Sequence, residues 1–167
     1  VPTSGGCNGH TWAGGVVLTN LVANGDFSSG TSGWVLGTGW SIDTSGRKLI
    51  ATGASTGQAY RGVAVTNTSI VYFALDVLAL ASGAVEVHPG GVPTSAGAIA
   101  NAPGRLSVVY DLKNTAANGN FVVGKYGASV LTSETTRLLA INLTATFGAG
   151  NEPTKAQMDT IMQQFPN

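Results

Sequence analysis

The feature that most restricts how this chain can fold is how often an alternating apolar run is cut short. Turn-forming stretches recur throughout: Asn24-Gly25, Ser45-Gly46, Ser82-Gly83, Pro89-Gly90-Gly91, Pro103-Gly104 and Asn118-Gly119. Each supplies the backbone geometry at which a strand reverses. Between them lie short runs that read as strands over 16–23, 39–42, 47–52, 58–65, 70–80, 84–88, 106–112, 121–126 and 138–143. Runs this short and this regularly punctuated predict an antiparallel sandwich rather than a helical or parallel α/β fold.

Alternation assigns the faces. Leu106, Val108, Tyr110 and Leu112 share one side of their run, and Arg105, Ser107 and Asp111 the other. Val85 and Val87 point one way, Glu86 and His88 the other. The run Val71, Phe73, Leu75 and Val77 is core-facing, but its opposite side, Tyr72, Ala74, Asp76 and Leu78, is nearly as apolar. That strand is therefore expected at the centre of a sheet, covered on both sides, with Asp76 bonded to a partner.

The one convincing helix is terminal, expected over 154–165. Thr154-x-x-Gln157 has the spacing of a capping box. Met158, Ile161, Met162 and Phe165 then form a single apolar stripe. A helix of about three turns is marginal alone, so the stripe must be packed. Gly148 and Gly150 let the backbone leave the last strand sharply before Pro153. Residues 1–15, rich in Gly, Ser, Thr and Asn, read as an arm or linker, and 16–167 as one domain.

Charge narrows the partners. Of 167 residues only 10% are charged, and eight basic side chains balance eight acidic ones. Nucleic acid and anionic membranes are thus not expected as partners. A neutral surface of Ser, Thr, Asn and Gly suits ligands held by hydrogen bonds and stacking, or burial in an assembly. The single cysteine, Cys7, excludes an internal disulfide. Its C-x-x-H spacing to His10 lacks further metal ligands nearby and is read as incidental. The chain starts at Val1 rather than Met, as expected of a processed chain or a piece of a longer protein.

Two stretches carry a resemblance. "NLTATFGAGNEPT" (142–154) resembles the "DLT-x-x-FGAGNEP" ending of tail-associated and other virion structural proteins of bacteriophages and prophages. "NLVANGDFSSGTSGW" (20–34) resembles the first strand and turn of jelly-roll carbohydrate-binding modules with a galactose-binding-like fold. The resemblance implies an all-β, jelly-roll-like antiparallel sandwich with a short C-terminal helix, displayed on a virion surface. It also implies a structural calcium, for which Asp26 and Asn142 are the candidate ligands here, although family members usually carry Asp at the position of Asn142. Calcium prefers several charged oxygens, so Asn142 weakens such a site.

The expected function is a non-catalytic phage virion component, on tail or capsid, that adheres to a host cell-surface glycan. The alternative is a purely structural decoration or assembly subunit without a glycan ligand. Other virion proteins and copies of the chain itself are the expected partners. Sugars stack on aromatic rings while their hydroxyls need donors and acceptors. Trp40, Tyr60, Asp76, Glu86 and His88 are the candidate glycan-binding residues on that ground. Asp76 and Glu86 are also a carboxylate pair that could share a face, as glycoside hydrolysis requires. No nucleophile–base constellation accompanies them, and no enzyme is expected.

Overall fold

The computed structural model describes residues 8–11, 16–54, 57–91, 97–113, 119–127 and 129–164, the first segment by its backbone alone. Within these, the elements are β1 (Asn8–Thr11), β2 (Val17–Thr19), β3 (Trp34–Leu36), β4 (Trp40–Asp43), β5 (Lys48–Ala54), β6 (Gln58–Gly62), β7 (Ile70–Ser82), β8 (Ala84–Pro89), β9 (Ala98–Ala100), β10 (Gly104–Asp111), β11 (Asn120–Tyr126), β12 (Leu131–Asn142), α1 (Leu143–Phe147) and α2 (Lys155–Gln163). Sheet I has the order β10-β7-β12-β5-β4 and sheet II the order β3-β6-β11-β8-β9, while β1 and β2 form a separate ribbon. All the pairings are antiparallel. Sheets I and II face each other as a β-sandwich, the architecture that the alternation predicts.

The core lies between the sheets. Val71, Phe73, Leu75 and Val77 of sheet I meet Val85, Val87, Phe121 and Val123 of sheet II. Phe73 and Phe121 join the layers edge to face, their ring centroids 5.2 Å apart. Strand β7 passes to β8 through a single residue, Gly83, and in doing so changes sheet.

Sheet I is covered on its outer side as well. Tyr72 and Ala74 of β7, Leu139 and Ile141 of β12, and Leu18 of β2 pack with Met158 and Ile161 of α2 in a second apolar cluster. Of the expected stripe, Met158 and Ile161 are buried and Met162 is half-buried against the cluster, while Phe165 lies outside the described residues. The capping box forms: Thr154 accepts from the Gln157 backbone N–H, and the Gln157 side chain accepts from the Thr154 N–H. A polar latch holds the helix in register. Asp159 accepts from Tyr72 Oη and Ser107 Oγ, each at 2.7 Å, and from Lys155 Nζ at 2.6 Å. Burial pushes the Asp159 carboxyl up, but these hydrogen bonds outweigh it and hold the group below the ordinary carboxylate range. Burial, then the bond to Asp159, pushes Tyr72 up to about 12.

Several elements depart from the sequence reading. Part of the expected arm, residues 8–11, is a strand paired with β2. Strands β3 and β9 have three residues each, too few to show a period. Strand β12 starts at Leu131 rather than at the expected 138; its buried positions there include Ser133 and Thr135, which mask the alternation in the sequence. The expected strand over 138–143 ends one residue early and turns into α1. Asn142 causes this: its Oδ1 accepts from the Ala145 N–H and caps the new helix. Gly148, at φ 86°, then closes it, a conformation that a side chain would strain.

The docking of α2 yields a test. Met158 is fully buried under the helix. Met158→Ala is expected to cost about 2–5 kcal/mol in urea denaturation, as core truncations do. A cost below about 0.5 kcal/mol, typical of surface positions, would mean the helix does not hold the sheet.

Candidate functional site

The outer side of sheet II has a different character from that of sheet I. Register places two rows of side chains there. One runs Ile99, Glu86, Gly124, Gln58; the other runs His88, Val122, Tyr60, Val35. Directly paired residues point to the same side of a sheet, and Val85, Val87, Phe121 and Val123 occupy the opposite, core-facing side. Strand alternation alone thus brings Glu86, His88 and Tyr60 onto one surface, as the sequence suggests.

Within these rows two ionisable groups lie below the surface. Glu86 is 0% and His88 2% exposed, and Glu86 Oε1 stands 3.7 Å from His88 Nε2. Among the described residues, neither carboxylate oxygen of Glu86 nor Nε2 of His88 has a hydrogen-bond partner. His88 Nδ1 lies 2.8 Å from the Pro89 carbonyl oxygen. A carbonyl only accepts, so Nδ1 carries the hydrogen, and in the neutral imidazole Nε2 presents a lone pair. The glycine opposite makes room for the carboxylate. A Cβ built at Gly124 would stand 3.0 Å from Glu86 Oε1 and 3.5 Å from Gln58 Cγ. Lys125, on the neighbouring strand, spends its ammonium on the Gly127 carbonyl. Tyr60 and Gln58 are half-buried at the side of the pair.

The remaining candidates lie elsewhere. Trp40, 7% exposed, is in the core between the sheets and cannot serve as a stacking platform. Asp76 points from the outer side of sheet I, where Arg105 Nη1 holds it at 3.1 Å and Arg137 contacts its second oxygen. The expectation that Asp76 and Glu86 share a face is therefore corrected: β7 and β8 belong to different sheets. Sheets pack about 10 Å apart, so groups on their outer sides exceed the roughly 5–10 Å of a glycosidase pair.

Asp26 and Asn142 do not fit a calcium site. Asp26 accepts from Ser28 Oγ at 2.9 Å and pairs with Arg47 at 3.4 Å. Asn142 uses Oδ1 as the α1 cap and donates through Nδ2 to Ser69 Oγ at 3.0 Å. Gly25, beside Asp26, bonds to β12 at Leu138, and four residues of strand, about 13 Å, separate that point from Asn142. Among the described residues, no three His, Cys, Asp or Glu side chains are grouped to hold a metal. Cys7 and the side chain of His10 lie outside the described residues. No described helix is long and apolar enough to cross a membrane.

Alternation could find the shared face but not its burial or its missing partners. Gly124 and Gln58 escaped the sequence reading, because a glycine in a strand signals close approach without saying of what. Compared with known protein families and with curated proteins, the sequence has no match.

The unpartnered carboxyl has a measurable consequence. Burial pushes Glu86 from 4.5 up to about 7, against a smaller downward pull from Lys125. His88 on β8, Lys125 on β11 and the uncharged Gln58 on β6 are the groups around it. The folded state holds the proton more tightly than the unfolded one. Glu86 therefore leaves stability untouched below about pH 4.5 and lowers it progressively as pH rises to about 7. At 1.36 kcal/mol per unit the full loss is of order 3 kcal/mol. Between about pH 4 and pH 8 the wild type should lose about that much more stability than Glu86→Gln in urea titrations. Parallel profiles for the two proteins would rule out a buried, proton-holding Glu86.

Proposed function

We propose that this chain is a non-catalytic carbohydrate-binding-type module of a bacteriophage virion surface, on tail or capsid. Its ligand is a host cell-surface glycan, bound on the outer side of sheet II around Tyr60, Glu86 and His88. One observation carries the reading: among the described residues, both carboxylate oxygens of Glu86 and the neighbouring Nε2 of His88 are buried without a hydrogen-bond partner. Native proteins leave few such groups, and each unmet one costs about 1–3 kcal/mol or more when charged. A ligand rich in hydroxyls supplies the missing donors. Tyr60 offers a ring to stack on a sugar face in the same row. The neutral, low-charge exterior suits an uncharged polyol, and the "FGAGNEP" ending supports the virion context. Among the described residues no second carboxylate is grouped with Glu86, which favours binding over hydrolysis.

A second reading, a decoration or assembly subunit without a glycan, draws on the large apolar side chains that remain exposed, Val17, Val35, Leu78, Tyr126 and Val130 among the described residues. Two measurements separate them. On an array of bacterial surface glycans the folded protein should bind at least one class, and Tyr60→Ala should weaken that binding about tenfold, the worth of one stacking contact. A blank array together with a stable oligomer in sedimentation would transfer the assignment to the assembly role.

A further inference from the structure

Four strands end the two sheets, and they are not alike. Strands β3 and β9 have three residues each and β4 has four, whereas β10 has eight. Strand β10 pairs with β7 residue for residue from Gly104 to Asp111, without a bulge. Among the described residues, its backbone bonds to no other element. Such a strand holds a row of N–H and C=O groups on its free side, open to pairing with another chain. Natural edges are usually blunted by proline, by a bulge or by a charge in mid-strand. Strand β10 has none of these. Its interior reads Leu106-Ser107-Val108-Val109-Tyr110, and its charges, Arg105 and Asp111, stand near the two ends.

Independently of the glycan reading, we propose that the free edge of β10 receives a second copy of this chain, β10 against β10, in antiparallel register about Val108. Charge selects both the occupant and the register. A strand paired antiparallel with its own copy is self-complementary about a two-fold axis. With Val108 on that axis, Arg105 of each copy stands opposite Asp111 of the other. Leu106 then meets Tyr110, and Ser107 meets Val109. The faces agree as well. Arg105, Ser107, Val109 and Asp111 lie on the outer side of sheet I, and Leu106, Val108 and Tyr110 on the core side. Moving the axis one residue either way sets Arg105 against Val109 or Lys113, and the attraction is lost. Both charged groups are exposed. Asp111 uses Oδ1 to accept from the Lys113 N–H at 2.8 Å, and Arg105 uses Nη1 on Asp76 at 3.1 Å. A carboxylate oxygen and several guanidinium N–H groups are left over. Pairing joins two five-stranded sheets into one. Its two-fold axis is perpendicular to the sheet, so both copies turn the outer side of sheet II the same way, and anything bound there is bound twice.

Sedimentation velocity on the intact chain tests this, from micromolar to millimolar concentration and in reducing buffer, so that Cys7 forms no disulfide. A monomer–dimer equilibrium is expected. Hydrogen exchange read by mass spectrometry at the two ends of that range should show the β10 amides slowed in the dimer and those of β4 unchanged. Asp111→Asn keeps an acceptor for the Lys113 N–H and should weaken the dimer about fivefold, since it removes two exposed ion pairs of modest worth. Asp111→Arg sets arginine opposite arginine and should weaken it about tenfold or more. Glu134→Gln, which breaks the Lys48 pair on the same side of sheet I away from β10, should leave it unchanged. Circular dichroism verifies that each variant is folded. A chain that stays monomeric at millimolar concentration overturns the proposal. So does a dimer that Asp111→Arg and Asp111→Asn leave intact, or one that slows exchange elsewhere but not in β10.

Discussion

The structure depends on burying both sides of β7. One side forms the middle of the sandwich core, through Val71, Phe73, Leu75 and Val77. The other needs a cover, because Tyr72 and Ala74 cannot be left to water without exposing an apolar sheet. Helix α2 and Leu18 supply it. The cover is aligned by polar contacts rather than by grease alone: Asp159 gathers Tyr72 of β7, Ser107 of β10 and Lys155 of its own helix. A marginal nine-residue helix is thereby made part of the fold.

Two carboxylates on the outer sides of the two sheets receive opposite treatment. Asp76 is surrounded by guanidinium groups from β10 and β12, which compensate its burial. Glu86 is buried more completely and, among the described residues, has only the His88 imidazole beside it and a lysine turned elsewhere. The fold shows at Asp76 how it handles a buried acid that serves structure. Leaving Glu86 without the same provision is a departure from that pattern, and such departures concentrate where a ligand completes the arrangement.

Much of the sandwich was legible because its strands alternate cleanly. Val85 and Val87 against Glu86 and His88, or the two-sided run from Val71 to Val77, need only period two to be read. The capping box at Thr154 and Gln157 announced α2 in the same way. Illegible parts have specific causes. Asn142 is a strand residue by context and a helix cap by chemistry, and only the position of Ser69 and Ala145 decides between them. Ser133 and Thr135 are buried polar residues that break the apolar rhythm of β12. For the candidate site, the shared face of Tyr60, Glu86 and His88 follows from local rules. The separation of Asp76 from Glu86 does not, since it turns on whether Gly83 folds β7 back beside itself or over to the opposite layer.

That crossing at Gly83 gives the molecule a front and a back. Leu18 near one end of the chain and Met158 near the other meet on the same flank, beyond sheet I. The Glu86 row occupies the reverse flank. The helix-covered flank and the flank that carries Tyr60, Glu86 and His88 are thus separated by the full thickness of the sandwich.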